Sequence, residues 1–241
     1  GDLLVLALQE LINVAFAAAT ASTEALRPAG ILTLLRIVER FGGADDPDYE
    51  GKLLLELYHA QFRTALSECF SPGAEPSLAA AGCGLAAQYL LAIASSANAH
   101  DVDATAIRKL LQMLLKPLSA QGLGELSYPN YSESAATMVR VEALTAAARL
   151  QQASTAGAGA ATGAAGAATG AAAGNASNYA ELGKQLAPSL PALRDVWMAL
   201  LRDHATLHTQ PRGVQRAYRP HLYATSAAAA ARGQMERAWP A

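Results

Sequence analysis

Residues 24–70 read EALRPAGILTLLRIVERFGGADDPDYEGKLLLELYHAQFRTALSECF, and this stretch decides the fold class. In its first half, large apolar residues recur at the three- and four-residue spacing of one helix face, at Ile31, Leu34, Leu35, Val38 and Phe41. The second half repeats this spacing at Leu54, Tyr58, Phe62, Leu66 and Phe70. Glycines and prolines break the pattern between the halves, at Gly42, Gly43, Pro47 and Gly51. The pattern predicts an αα-hairpin over Glu24–Phe70, about the size of one HEAT-type repeat.

Further amphipathic helices are predicted on both sides of this hairpin. The first, Asp2–Thr20, has an apolar stripe at Leu4, Leu8, Leu11, Ile12, Ala15 and Phe16. Another, Asp101–Ser119, has one at Ile107, Leu110, Leu111, Leu114, Leu115 and Leu118. A loop with sequence AQGLGELSYPN leads to a helix over 131–152, and a last one follows Tyr179 with Leu193, Trp197, Leu200, Leu201 and His204. Each amphipathic helix must bury its apolar stripe against a neighbouring helix, so the chain is predicted to be an all-α solenoid.

The stretch Leu78–Ala99 carries no charge and permits two interpretations. It is long enough to span a membrane. However, it consists mainly of alanine, glycine and serine, with Gln88 near the middle, and its few large apolar residues would each contribute only about −0.3 to −0.6 kcal/mol to insertion. The composition therefore favours a helix that is buried inside a helical stack.

Composition narrows the class of protein. The 241 residues carry a formal net charge of −2, which argues against a dedicated nucleic-acid binder. The two cysteines, Cys69 and Cys83, provide no disulfide framework and are predicted to be buried thiols in a reducing compartment. The chain starts with Gly1 inside an apolar pattern and ends at Trp239-Pro240-Ala241, which indicates an internal fragment truncated at its C-terminus.

Residues 153–177 consist almost entirely of alanine, glycine and threonine in loosely repeated AATG and AAG units. Each glycine costs a helix about 1 kcal/mol relative to alanine, and no large side chain is available to anchor the segment. The tract is predicted to be a disordered insertion. The domain organisation is therefore HEAT-like helical repeats over 1–152, the insertion over 153–177, and continuing repeats over 178–241.

The spaced pattern of the hairpin resembles the HEAT repeat-containing protein 5 family of very large α-solenoids. The matching positions are Leu26, Arg27, Gly30, Leu34, Leu35, Val38, Phe41, Pro47, Gly51, Leu55, Glu56, Tyr58, Ala60, Ala65, Leu66 and Phe70. Residues 131–148 and 193–205 are also similar to the family. Two positions depart from its pattern: the family usually has Trp where this chain has Ala147, and Tyr where it has His204. The smaller Ala147 predicts thinner local packing.

The resemblance implies a function that periodicity alone does not. Members of the family are cytosolic, non-enzymatic accessory proteins that work with the type 1 clathrin adaptor complex and its co-adaptors. They act in vesicle traffic between endosomes and the trans-Golgi network. The resemblance therefore implies protein partners, peripheral location on the trans-Golgi network, endosomes and endocytic vesicles, and no nucleic acid or small-molecule substrate.

No residue set in the sequence predicts catalysis, a cofactor or a metal, so no site residue of these kinds is assigned. His204 and His208 are one helical turn apart, but no third ligand lies nearby. Gly122-Leu123-Gly124 lacks the remainder of a phosphate-binding motif and is interpreted as a loop. Ser132, Glu133 and Ser134 are predicted to cap a helix, and Cys69 to lie in the core. A basic cluster, Arg212, Arg216, Arg219 and His221, is interpreted as a solvated loop rather than a phosphoinositide site.

Two rival functions stay open at this stage. A HEAT-repeat scaffold of nuclear transport or of a phosphatase would have similar helices and different partners. An integral membrane protein would use residues 78–99 as its span.

Overall fold

The computed structural model describes residues 7–46, 52–95, 104–126, 131–163 and 170–209. Over these ranges the backbone forms nine α-helices: α1 Leu8–Ala19, α2 Arg27–Phe41, α3 His59–Cys69, α4 Pro76–Ala94, α5 Ala104–Leu115, α6 Ala120–Leu126, α7 Glu133–Gly163, α8 Gly170–Leu186 and α9 Leu190–Thr209. Short 3-10 turns are found at Glu24–Leu26, Leu54–Tyr58, Lys116–Leu118 and Ala187–Ser189. Extended pairing in the described ranges is limited to one antiparallel bridge, Asp45 with Leu53. The all-α fold is as predicted.

Three predicted features lie outside the described residues. They are Leu4 of the first stripe, the breakers Pro47 and Gly51 between the two halves of the hairpin, and the basic cluster after residue 209.

Helix α4 lies at the centre of the stack, where it packs against α2 on one side and α7 on another. Its buried residues point in several directions around the helix and are Leu78, Ala79, Gly82, Cys83, Leu85, Ala86, Ala87, Tyr89, Leu90, Ala92 and Ala94. By length and composition it could cross a membrane, and it is the one helix in the described ranges that could. Because neighbouring helices bury most of its surface, the packing favours the predicted core helix.

The helices pair differently from the prediction. Helix α2 packs mainly against α1 and α4, whereas α3 packs against α4 and α1. The predicted direct hairpin of α2 with α3 is therefore wrong, although both helices form. An amphipathic stripe determines which face is buried but not which neighbour covers it.

Helix α2 buries a wider face than its stripe predicts, because α1 and α4 cover it from two sides. Ile31, Leu34 and Val38 are buried as expected. Leu35, which was predicted to be buried, is only half-buried, and Ile37 is buried instead.

Gly30 marks the closest approach of α2 to α1. A Cβ atom placed on Gly30 would lie 2.2 Å from the backbone nitrogen of Ala19. The atoms that this Cβ would meet belong to the backbone of α1, so no side-chain rotation can relieve the clash. The absence of a side chain at Gly30 is what lets the two helices cross here.

Gly30→Ala is therefore expected to lower the free energy of unfolding by about 1–3 kcal/mol, the usual cost of overpacking. Gly124→Ala in α6 is the matched control, because a Cβ there meets no atom within 4 Å and alanine favours helix. Urea denaturation followed by circular dichroism measures both. Equal stability of the two variants would contradict the close crossing.

The predicted glycine-containing loop after α5 is instead partly helical. Gly122, Leu123 and Gly124 lie in α6, Ala120–Leu126. The hydroxyl of Ser119 accepts a hydrogen bond from the backbone N–H of Gly122 at 2.9 Å, which satisfies one free donor at the start of this helix. The turn is tight, since a Cβ on Gly122 would lie 2.2 Å from the carbonyl oxygen of Lys116.

The predicted disordered insertion is also corrected. Helix α7 continues to Gly163 and α8 begins at Gly170, so most of residues 153–177 are helical. Their small side chains let the two helices approach closely: a Cβ on Gly157 would lie 2.8 Å from the Cβ of Tyr179. Leu182 on α8 is fully buried, so the anchoring side chains come from the second helix rather than from the tract itself.

Amide hydrogen exchange distinguishes the two descriptions of this tract. We expect slowed exchange at residues 154–157 and 178–186, because their N–H groups lie within packed helices. Mass spectrometry of overlapping peptides provides the measurement, with the solvent-exposed end of α9 as internal reference. Exchange at the unfolded rate throughout residues 154–157 would contradict packed helices there and support the predicted disordered insertion.

Candidate partner-binding grooves

The residues singled out for possible chemistry have structural roles. The hydroxyl of Ser132 accepts a hydrogen bond from the backbone N–H of Ala135 at 3.2 Å, so it caps the start of α7 as predicted. Cys69 and Cys83 are both fully buried. Burial raises the pKa of Cys69 to about 12 and that of Cys83 well above its usual value. Both thiols are therefore protonated at neutral pH and unreactive.

No group of three metal-ligating side chains occurs among the residues that the structure describes. His204 is half-buried on α9 beside the buried Asp203. The side chain of His208 is outside the described part of the chain, so the pairing of the two histidines stays a prediction.

The first groove, the α4 pocket, lies where the C-terminal ends of α2 and α4 meet the Leu54–Tyr58 turn. Its volume is about 260 Å³, and it is lined by Gly42, Asp46, Lys52, Leu53, Leu55, Glu56, Leu57, His59, Tyr89, Ala92 and Ile93. Its floor is a hydrogen bond between His59 Nδ1 and the Tyr89 hydroxyl. Phe62 stacks on the Tyr89 ring, with centroids 4.7 Å apart. The hydrogen bond and the stack join α3 to α4.

Burial in this pocket favours the neutral forms of His59 and Tyr89. Burial lowers the pKa of His59, with a smaller opposing effect of Glu56 and a smaller lowering effect of Arg63. Burial raises the pKa of Tyr89, and Glu56 raises it further. Nδ1 of neutral His59 can accept a hydrogen bond from the Tyr89 hydroxyl, whereas Nδ1 of protonated His59 would be a donor.

Protein stability should therefore fall as the pH drops below the ordinary histidine pKa of 6.5 toward the lowered pKa of His59. In that interval the unfolded chain binds more protons than the folded chain, so protonation favours unfolding. Urea denaturation at about pH 7.5, 6.5 and 5.5 measures the slope. His59→Gln keeps a polar side chain without this titration and should flatten the slope. An unchanged slope in this variant would contradict the assignment.

The second groove, the α7–α9 groove, lies between the C-terminal half of α7 and the start of α9. Its volume is about 690 Å³, and its lining is Ala147, Ala148, Gln151, Gln152, Ala187, Leu190, Pro191, Leu193, Arg194 and Trp197. Small residues on α7 leave the space open, and Trp197 is half-buried on the opposite wall. Ala147, where thinner packing is predicted, lines this groove and is itself buried.

One polar atom of this groove is unsatisfied. The side-chain oxygen of Gln151 is buried and has no hydrogen-bond partner among the described residues. Leaving a buried acceptor unpaired typically costs about 1–3 kcal/mol.

The third groove lies between α5 and the Ala187–Ser189 turn and has a volume of about 480 Å³. Two cations line it, Arg108 and Lys116, and both already have partners. Arg108 Nε donates to the side-chain oxygen of Gln185 at 3.0 Å, and Lys116 Nζ lies 3.0 Å from a carboxylate oxygen of Glu125. Internal contacts therefore satisfy most of its polar groups.

These arrangements suit binding better than chemistry. The grooves are open, mostly apolar and bounded by helices that belong to one core. Such surfaces on stacked helices are typical of solenoids that bind extended partners.

The comparison with known protein families decides the identity of the stack. The model of the Laa1/Sip1/HEATR5 HEAT repeat region matches residues 3–206, which is most of the chain. The chain belongs to this family. Its helices are therefore HEAT repeats, and the resemblance of residues 24–70 to the family is confirmed.

A curated relative in the family is Protein SWEETIE of Arabidopsis thaliana, with 34% identity over 151 residues. The match covers 63% of this chain and 6% of SWEETIE, so it spans only a small part of that relative's length. No solved structure matches the chain. The chain is a HEAT-repeat member of the Laa1/Sip1/HEATR5 family, and HEAT-repeat proteins generally act through protein interactions.

The sequence analysis named Ala147 and Trp197 of the second groove, but it did not predict that they line a common site. Gln151 and Trp197 lie on different helices, and no spacing rule brings them together. The sequence features that could have indicated the groove are local. Gln151 follows the alanines Ala147 and Ala148 at helical spacing, and Trp197 is a large aromatic residue in a later helix.

Proposed function

We propose that this chain is a non-enzymatic segment of a scaffold that works with the type 1 clathrin adaptor complex and its co-adaptors. The scaffold acts in vesicle traffic between endosomes and the trans-Golgi network. It resides in the cytosol and associates peripherally with the trans-Golgi network, endosomes and endocytic vesicles through its partners.

The match of residues 3–206 to the HEAT repeat region of the Laa1/Sip1/HEATR5 family carries this proposal. The fold supplies a physical mechanism. A long stack of helices presents many weak sites at once, and each bound partner raises the local concentration of the next. Open apolar grooves, such as the α7–α9 groove, provide sites of the required kind.

The experiment follows the full-length protein, tagged at its own locus, together with markers of the trans-Golgi network and endosomes. We expect overlap with both markers, and rapid dispersal into the cytosol when an adaptor subunit is depleted. A nuclear-envelope location would favour the nuclear-transport alternative. Resistance of the tagged protein to carbonate extraction would favour a membrane span at α4, Pro76–Ala94. Either result would contradict the proposal.

A further inference from the structure

We propose that the third groove, between α5 and the Ala187–Ser189 turn, binds an acidic segment of a protein partner, with a carboxylate on Arg108 and an aliphatic side chain beside it. This inference rests on the proposed function, because it assumes that the occupant belongs to a protein. It adds the chemistry that the partner must present and the residue that recognises it.

The charge of the groove sets the first requirement. The whole chain has a slight excess of acidic residues, 20 against 18 basic ones. In contrast, the described residues that line the third groove include two cations, Arg108 and Lys116, and no carboxylate. Lys116 is paired with Glu125, whereas Arg108 has no carboxylate beside it in the described part of the chain. An acidic occupant is therefore favoured over a neutral or basic one.

A neutral side chain holds Arg108 in position. Its Nε donates to the side-chain oxygen of Gln185 at 3.0 Å, and the amide nitrogen of Gln185 donates to Glu181 at 2.6 Å. Glu181 has a cation of its own, because Lys184 lies 3.8 Å from it. The amide therefore orients the guanidinium without neutralising it. The terminal nitrogens of the guanidinium match the two oxygens of a carboxylate, and a side chain that is already ordered loses less entropy on binding.

The apolar part of the groove sets the second requirement. Leu111 and Leu115 are one helical turn apart on the same side of α5 as Arg108, and Pro188 lines the groove with them. The volume of about 480 Å³ provides room for an aliphatic side chain next to the carboxylate. A phosphate group would suit this lining less well, because it would lie against apolar side chains.

The test uses three tripeptides, each acetylated at its N-terminus and amidated at its C-terminus. Their sequences are glutamyl-leucyl-glutamyl, glutaminyl-leucyl-glutaminyl and glutamyl-seryl-glutamyl. Ligand-observed NMR with the whole chain at low salt gives the dissociation constants. We expect the glutaminyl probe to bind about two- to fivefold more weakly than the first, the range for an exposed ion pair. The seryl probe should bind about three- to tenfold more weakly, because it buries no leucine side chain.

Matched variants assign the charge preference to Arg108. Arg108→Gln should remove most of the preference for the glutamyl probe over the glutaminyl probe. Lys109→Gln is the control, because it removes an exposed cation from the next position of the same helix, outside the groove lining. Gln112→Glu places a carboxylate in the groove one turn from Arg108, so it should also remove the preference while Arg108 is kept. Circular dichroism verifies that each variant is folded.

Four results would overturn the inference. They are the absence of glutamyl-leucyl-glutamyl binding to the wild-type chain, equal affinities of the glutamyl and glutaminyl probes, equal effects of Arg108→Gln and Lys109→Gln, and tighter binding of inorganic phosphate than of the first probe at this groove. The last would assign the groove to a phosphate ligand. None of these results bears on the intracellular location that tests the proposed function, so the two can fail separately.

Discussion

Replacing Phe62 with alanine is expected to lower the free energy of unfolding by about 3–5 kcal/mol, the largest effect of any substitution considered. Phe62 on α3 is fully buried and stacks on Tyr89 of α4 with a ring separation of 4.7 Å and an interplanar angle of 20°. The substitution removes both the transfer energy of the ring and the contacts that join the two helices. It leaves a cavity that the helices cannot close without moving.

Leu57→Ala is the control for this prediction. Leu57 lies in the adjacent turn and is 65% exposed, so its removal should cost less than about 0.5 kcal/mol. Urea denaturation at neutral pH, followed by helical circular dichroism, measures both variants. If Phe62→Ala unfolded at the same urea concentration as Leu57→Ala, the packing of α3 on α4 would be wrong.

Leu34→Ala is expected to have the second largest effect, a loss of about 2–5 kcal/mol. Leu34 is fully buried on α2, between α1 and α4, whereas Leu32 on the same helix is 48% exposed. Leu35 is half-buried, so its replacement should cost an intermediate amount. The order of the three losses of unfolding free energy therefore reports which face of α2 is buried.

Thermal and urea denaturation of the three alanine variants give this order directly. Leu32→Ala is the matched control, because it removes the same atoms from the same helix without leaving an internal cavity. Equally large losses for Leu34→Ala and Leu35→Ala would restore the face predicted from the sequence, and a larger loss for Leu35→Ala would contradict the orientation in the structure.

The sequence predicted the helices and their buried faces well, because both depend on local spacing. Ile31, Leu34, Val38, Phe62 and Leu66 are all buried, as their period predicts. What spacing does not contain is the identity of the neighbour. The sequence suggested that α3 is the partner of α2, but α1 and α4 cover α2 instead. Because two helices cover α2, its buried face is wider than predicted and includes Ile37.

The alanine and glycine tract shows where propensity reasoning fails. Glycine disfavours an isolated helix, and this led to the prediction of disorder. In the stack, the same small residues allow α8 to come close enough for Tyr179 to lie against Gly157, and tertiary packing outweighs the local cost. The favourable side chains, Leu182 and Leu186, are supplied by the segment that follows.

The grooves depend even more on tertiary structure. His59 and Tyr89, which share a hydrogen bond, are far apart in sequence. The same is true of Gln151 and Trp197, which line one groove. The sequence pointed only to the neighbourhood of the second groove, through the small Ala147.

Quantitative affinity purification of the full-length protein tests the central claim, that this chain belongs to a scaffold of adaptor-dependent traffic, most directly. The tagged protein is captured from gently lysed cells and compared by mass spectrometry with an untagged control. We expect enrichment of type 1 clathrin adaptor subunits and their co-adaptors. Adaptor subunits at background level, with nuclear-transport receptors or a phosphatase catalytic subunit enriched instead, would contradict it.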